Sequence, residues 1–258
     1  LNKVKIFDAS WHMPNSKRNA EKEYLDKHIP GAIFWNIEEH SDKDSPFPHM
    51  LSNSDYWTRT LWSFGIKNTD HIIVYDFSDV HSACRLWFSL KYFGHKKVSI
   101  LNGGFQKWLK EKKPVTQKID RIDKVDNYII NANNDWIKNK KQIDENIKKK
   151  DFTVLDARSK NRFLGLEPEP RPGIKSGSIE ESKSMPLSEI INVKDNTFLD
   201  TKKLSDIFNS IGISSNKIVM SCGSSVSAAS LALAYSLIND DYIPKIYIGS
   251  WTEFGKNK

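Results

Sequence analysis

Cysteine is scarce in this chain of 258 residues: Cys84 and Cys222 are the only two. Two thiols make no disulfide framework, and they lack the paired spacing of a zinc site. At least one of them is therefore a candidate for a working thiol. The seven histidines all fall within the first 95 residues, without HxxxH or HExxH spacing. No metal and no cofactor are expected.

Long hydrophobic runs are missing as well. The longest apolar region, around Leu231 to Leu237, is broken by Tyr235 and Ser236 and falls short of the roughly 18 residues a membrane span needs. No membrane partner is expected. With 38% hydrophobic and 28% charged residues, the chain is nonetheless apolar enough to fold, as one large domain or two.

Arginine is rare, seven residues out of 39 basic ones. The net charge of +7 comes mainly from lysines spread along the whole chain, which does not make a nucleic-acid surface. The densest run, Lys138 to Lys150, contains Asp144 and Glu145 and reads as a solvated helix face. Against that background, Arg158, Arg162 and Arg171 fall within fourteen positions. Nucleotide motifs are absent: there is no GxGxxG, and the Walker-like run from Gly249 to Lys256 has no room for a following helix. The sequence begins at Leu1, so it does not speak to an upstream targeting segment. The expected compartment is the cytoplasm, or the mitochondrion if such a segment precedes Leu1.

What is present is a repeat. His71-Ile-Ile-Val-Tyr-Asp76 resembles Lys217-Ile-Val-Met-Ser-Cys222, and each precedes a polar loop and a helical pattern, Ala83 to Phe93 and Val226 to Ile238. Twenty-seven residues separate Asp76 from Gly103 in Asn102-Gly-Gly-Phe105, and the same number separates Cys222 from Gly249 in Gly249-Ser-Trp251. Upstream, Lys5-Ile-Phe-Asp-Ala9 matches Thr153-Val-Leu-Asp-Ala157. The chain is a duplicated domain. Alternating short strands and helices predict an α/β architecture, in each copy a mainly parallel sheet with helices on both faces. The expected units are residues 1–117, a polar linker over 118–131, and residues 132–258, opened by a helix from Asp135 to Lys149.

In such sheets function gathers at the carboxyl ends of the strands. Cys222 stands there, followed by Gly223-Ser-Ser-Val-Ser227 and a helix. Small residues let successive N–H groups turn inward as an anion nest at the helix start, which favours a thiolate nucleophile. The bland alternative is a packed, inert cysteine. The first copy has Asp76 at the equivalent place, so one copy would be catalytic and the other a scaffold. A Cys-x5-Arg phosphatase loop is excluded, because Ala228 occupies the arginine position.

The chain resembles the two-domain rhodanese-like sulfurtransferases, and within them the 3-mercaptopyruvate branch. The resemblance is carried by Asp8-Ala-Ser-Trp11, His28-Ile-Pro-Gly-Ala32, Ser45-Pro-Phe-Pro-His-Met-Leu51, Asn102-Gly-Gly-Phe105, Arg162-Phe-x-Gly, Glu167-Pro-Glu-Pro-Arg-Pro-Gly173, Cys222-Gly-Ser-Ser-Val-Ser-Ala228 and Gly249-Ser-Trp251, in family order. It implies tandem rhodanese-like domains and a Cys222 persulfide that carries sulfane sulfur from a small-molecule donor to a thiol acceptor such as thioredoxin, or to cyanide.

The resemblance further implies Arg162 and Arg171 as substrate-binding residues. An arginine fork suits a carboxylate, and the loop residues Gly223, Ser225, Val226 and Ser227 complete the donor site. It also implies a proton relay of Glu38, His49 and Ser224, the histidine protonating the pyruvate enolate. The uncharged loop after Cys222 favours 3-mercaptopyruvate over thiosulfate. Departures from the family pattern are Glu38 where Asp is usual, Ser225 and Ser227 for Gly and Thr, Ile248 for an acid, and Gly177-Ser-Ile-Glu-Glu181 for Gly-His-Ile-Pro-Gly. Ser225 carries a Cβ into a loop position that needs positive φ. Arg158, His28 and Cys84 read as structural, Arg85 as either structural or cleft-facing. A rhodanese acting on thiosulfate, and a rhodanese-fold binding module that has lost activity, are the competing functions.

Overall fold

The β-branched runs are apolar on both faces, as strands sandwiched between two layers of helices must be. A computed structural model describes residues 3–213, 216–240 and 242–256, so the outermost residues of both expected units lie outside it. In the first half β1 (Val4–Asp8), β2 (Ala32–Phe34), β3 (His71–Tyr75) and β4 (Val98–Ile100) form a parallel sheet in the order β2-β1-β3-β4. The second half contains β5 (Ile137–Lys138), β6 (Thr153–Asp156), β7 (Lys183–Ser184), a separate antiparallel pair, β8 (Ile191–Asn192) and β9 (Thr197–Phe198), then β10 (Ile218–Ser221) and β11 (Lys245–Tyr247). Its parallel sheet runs β5-β11-β10-β6-β7.

The two sheets repeat each other bond for bond. Ala9 N–H donates to Tyr75 O at 2.8 Å and Ala157 N–H to Ser221 O at 2.9 Å. Trp35 N–H reaches Asp8 O at 2.8 Å, and Met185 N–H reaches Asp156 O at 2.9 Å. The second copy adds β5 at its edge, and here the expected helix from Asp135 is corrected. Asn134–Trp136 is a single 3-10 turn, Ile137–Lys138 pairs with β11, and the helix starts at Lys140 under an Asn139/Gln142 capping box. The capping pair outcompetes helix propensity upstream of it.

Helices cover both faces of each sheet: α1 (Ala20–Asp26), α2 (Ile37–His40), α3 (Ser54–Ser63), α4 (Ala83–Tyr92) and α5 (Gly104–Lys110), then α6 (Lys140–Lys149), α7 (Lys160–Phe163), α8 (Thr201–Ser210), α9 (Val226–Ser236) and α10 (Ser250–Phe254). Strand alternation sorts the core. Val154, Val219 and Tyr247 pack with Ile143 of α6 and Trp251 of α10, whereas Leu155, Met220 and Ile246 face the other way. That other face merges with Phe7, Ile72 and Val74 of the first copy into one shared core.

The merger runs through α4 and α9, which pack against each other. Helix α9 is buried almost all round, as a helix without a polar face must be, and Ala228, Ala229, Ala232 and Ala234 let its neighbours approach closely. Residues 117–131 form no helix or strand. They lie along the first half, where Ile129 N–H bonds Asn68 Oδ1 at 2.8 Å and the buried Tyr128 hydroxyl meets His95 Nδ1 at 2.8 Å.

Candidate active site

Cys222 follows β10 and is 3% exposed. Its loop is tied down by Gly249-Ser-Trp251: Ser250 Oγ accepts from Cys222 N–H at 3.3 Å and Ser225 N–H at 3.1 Å, while Trp251 N–H donates to Cys222 O at 2.9 Å. Ser225 adopts φ 60° and ψ 10°, the left-handed conformation that its Cβ resists. This turn rotates its side chain inward, where Ser225 Oγ donates to Ser224 O at 2.7 Å. Ser225 is thus buried and does not line the cleft, in contrast to the expectation of a donor contact. Val226 and Ser227 sit in the first turn of α9, where a helix leaves N–H groups without carbonyl partners.

In front of the loop opens a cleft of about 460 Å³. Cys222, Gly223, Ser224, Val226 and Ser227 line it together with Arg162 and Arg171. The first copy supplies Trp11, Met13 and Val80 to the same cleft, so the site lies between the copies.

The two arginines are held differently. Arg162, in the short helix α7, gives Nε and Nη2 to Glu169 at 3.1 and 2.6 Å. A Cβ on Gly223 would come within 3.2 Å of Arg162 Nη2, so this guanidinium lies close against the loop. Arg158 is structural, as expected. Fully buried, it clamps Asp156 and Glu169 and lies over the Trp251 ring at 4.6 Å. Arg171 has no carboxylate within 4.0 Å among the described residues; its guanidinium lies 5.8 Å from the Trp11 ring centre. Burial lowers its pKa, with Glu38 and Cys222 pulling the other way. It is the cation left free for an incoming anion.

Behind Cys222 stands a chain of three side chains from both copies. His49 Nδ1 meets Ser224 Oγ at 2.9 Å, and His49 Nε2 meets Glu38 Oε1 at 3.0 Å. Trp11 Nε1–H donates to the same Glu38 oxygen at 2.8 Å. The longer arm of Glu38 thus closes the distance. The bond from His49 holds the Glu38 carboxyl at about 2, so it is ionised and can only accept. Nε2 therefore carries the proton, and Nδ1 offers a lone pair to the Ser224 hydroxyl. Burial lowers the pKa of His49 in spite of Glu38. At neutral pH the ring is a base, so the expected protonation of the enolate requires that it first take up a proton.

Three comparisons place this geometry. Residues 2–111 match the model of the rhodanese-like domain. Over 97% of its length the chain is 34% identical to mouse (Mus musculus) 3-mercaptopyruvate sulfurtransferase and 37% identical to bovine (Bos taurus) thiosulfate sulfurtransferase, covering 84% of each. The crystal structure of the 3-mercaptopyruvate sulfotransferase SseA from Escherichia coli superposes with a TM-score of 0.85 at 32% identity, over 96% of this chain and 92% of that one. The chain belongs to the two-domain rhodanese-like sulfurtransferases. It is a sulfurtransferase with a tandem α/β fold.

Some residues of this sulfurtransferase were not singled out by its sequence. Ser250 is the acceptor that fixes the Cys222 loop, Glu169 bridges Arg158 and Arg162, and Trp11 orients Glu38. Their motifs were visible, but which side chain bonds which is a tertiary matter. His28 bonds Tyr24 O at 2.7 Å and Lys118 O at 3.2 Å, a structural role. Cys84 is buried in the shared core, and burial drives its thiol pKa upward. Among the described residues no helix is long and apolar enough to cross a membrane.

Proposed function

We propose that the protein moves sulfane sulfur from 3-mercaptopyruvate through a persulfide on Cys222 to a thiol acceptor such as thioredoxin, or to cyanide, releasing pyruvate. The observation that carries this reading is Ser224, which lines the cleft with Cys222 and whose Oγ meets His49 Nδ1 at 2.9 Å. Transfer from a carbon-bound sulfur needs a proton moved; transfer from thiosulfate does not.

Arg171 and Arg162 hold the donor carboxylate. The Cys222 thiolate attacks the donor sulfur, the Sγ–S bond forms, and the carbon–sulfur bond breaks with its electron pair passing into the pyruvate enolate. The donor thiol proton passes through Ser224 Oγ to His49 Nδ1 and returns to the enolate carbon. In the second half, the acceptor thiolate attacks the outer sulfur and Cys222 leaves as thiolate, giving ping-pong kinetics. Residues 1–117 serve as the non-catalytic copy, 118–131 as the linker and 132–258 as the catalytic copy. The proposed compartment is the cytoplasm, or the mitochondrion if an import segment precedes Leu1.

Thiosulfate as donor is the second reading, supported by the similarity to thiosulfate sulfurtransferases. Intact mass of the reduced protein after incubation with each donor tests both. One added sulfur on the wild type, faster from 3-mercaptopyruvate and absent in Cys222→Ser, is expected. Faster loading from thiosulfate favours the second reading, and no sulfur from either donor defeats both.

A further inference from the structure

Arg85 lies on α4 of the non-catalytic copy and is 3% exposed. Its Nη2 donates to the His49 carbonyl at 2.6 Å, but its Nε and Nη1, both buried, have no hydrogen-bond partner. No carboxylate lies within 4.0 Å of it among the described residues. A buried cation without a partner is one of the costlier features a fold can keep, because desolvation is not offset by attraction. Burial pulls the guanidinium down to about 10, and the opposing influence is a single group, Cys222.

We infer that Arg85 is a positioning residue for sulfur transfer: it is the buried counter-charge that the first copy holds behind Cys222, favouring the thiolate before transfer and the persulfide anion after it. The inference rests on Cys222 being the sulfur carrier. Other charges face the same loop. Arg171 also attracts Cys222, Arg162 approaches Gly223, and the neutral His49 with its Glu38 stands behind Ser224. Arg171 and Arg162 line the open cleft, where an anionic donor engages them. Arg85 is shut away from the cleft, so its charge is always available to the sulfur. Through Nη2 it also steadies the carbonyl of His49, a residue at φ 61°.

The test compares the full-length wild type with Arg85→Gln, which can still donate to the His49 carbonyl but has no charge, and Arg85→Lys, which keeps the charge. The readouts are the rate of Cys222 alkylation by neutral iodoacetamide at pH 7 and the thiolate absorbance near 240 nm, each against Cys222→Ser. Arg85→Gln should slow alkylation roughly tenfold and lower the absorbance, as loss of one nearby opposite charge does. Arg85→Lys should restore both, and the same difference should persist in a His49→Ala background. Equal rates in Arg85→Gln and the wild type, or a difference that vanishes in His49→Ala, would overturn the inference. If Arg85→Gln does not fold, Arg85→Lys decides: wild-type alkylation supports it and a tenfold loss overturns it. Failure of Cys222 to take sulfur from either donor would instead defeat the proposed function.

Discussion

The two copies differ most instructively at one position. At the end of β3 stands Asp76, and at the end of β10 stands Cys222. The frames coincide, since Phe105 N–H donates to Asp76 O at 2.8 Å just as Trp251 N–H donates to Cys222 O at 2.9 Å. In the first copy the Asp76 carboxylate folds back onto its own loop, accepting from Ser78 N–H at 3.2 Å and Ala83 N–H at 2.6 Å. A tethered carboxyl group fills the nest there; in the second copy the nest faces a cleft and can take sulfur from outside. Arg18 follows the same pattern, with Nε and Nη2 on Glu23 at 2.8 and 2.7 Å and its guanidinium over Phe77. The cavity beside Asp8, Ser10 and Phe77 measures only about 50 Å³, space for a few waters.

The largest effect expected from this contrast is a failure to move function. Asp76→Cys combined with Cys222→Ser should take up no sulfur from either donor by intact mass, because the first loop has neither space nor a free arginine. A persulfide on residue 76 would break the comparison. Next in size, His49→Ala should lower kcat/KM for 3-mercaptopyruvate by about 10²- to 10⁴-fold. Thiosulfate transfer should change little, since sulfite leaves without needing a proton on carbon. In the same vein, carbon and nitrogen NMR should find the wild-type His49 ring titrating below 6.5, with the neutral form persisting as pH falls toward that range.

Smaller is the loss from Arg171→Met, about 10- to 100-fold in kcat/KM for 3-mercaptopyruvate and mainly through KM, the worth of one charge-assisted hydrogen bond. An unchanged KM would place the carboxylate elsewhere. The smallest effect should come from Ser225→Gly. Relief of the left-handed backbone stabilises by about 1 kcal/mol, and loss of the bond to Ser224 O returns part of it. Urea unfolding should therefore move slightly upward with sulfur transfer retained. Destabilisation would mean that the serine bond outweighs the backbone strain.

Strand ends and the nucleophile were legible because they are local: an apolar run, a small-residue loop and an apolar helix declare Cys222 wherever they pack. The match of Asp76 to Cys222 was legible for the same reason. The first turn of the second copy was misread at Asp135, where edge pairing of Ile137 with Ile246 outweighs helical propensity. The inward turn of Ser225 was invisible, since it depends on Ser250 arriving from 25 residues away. Arg85 looked ambiguous because its sequence neighbours are core residues, while the carbonyl it bonds, that of His49, lies across the fold.

The packing of α4 on α9 also bears on how the chain is made. Helix α4 leaves the ribosome well before α9 exists, and at ordinary elongation rates the delay is on the order of ten seconds. During that interval an apolar helix face waits uncovered, a standing invitation to aggregation and to chaperone capture. Either half expressed alone would keep that face exposed permanently. A cut in the segment around residues 117–127, made after synthesis, would by contrast leave two fragments that stay together.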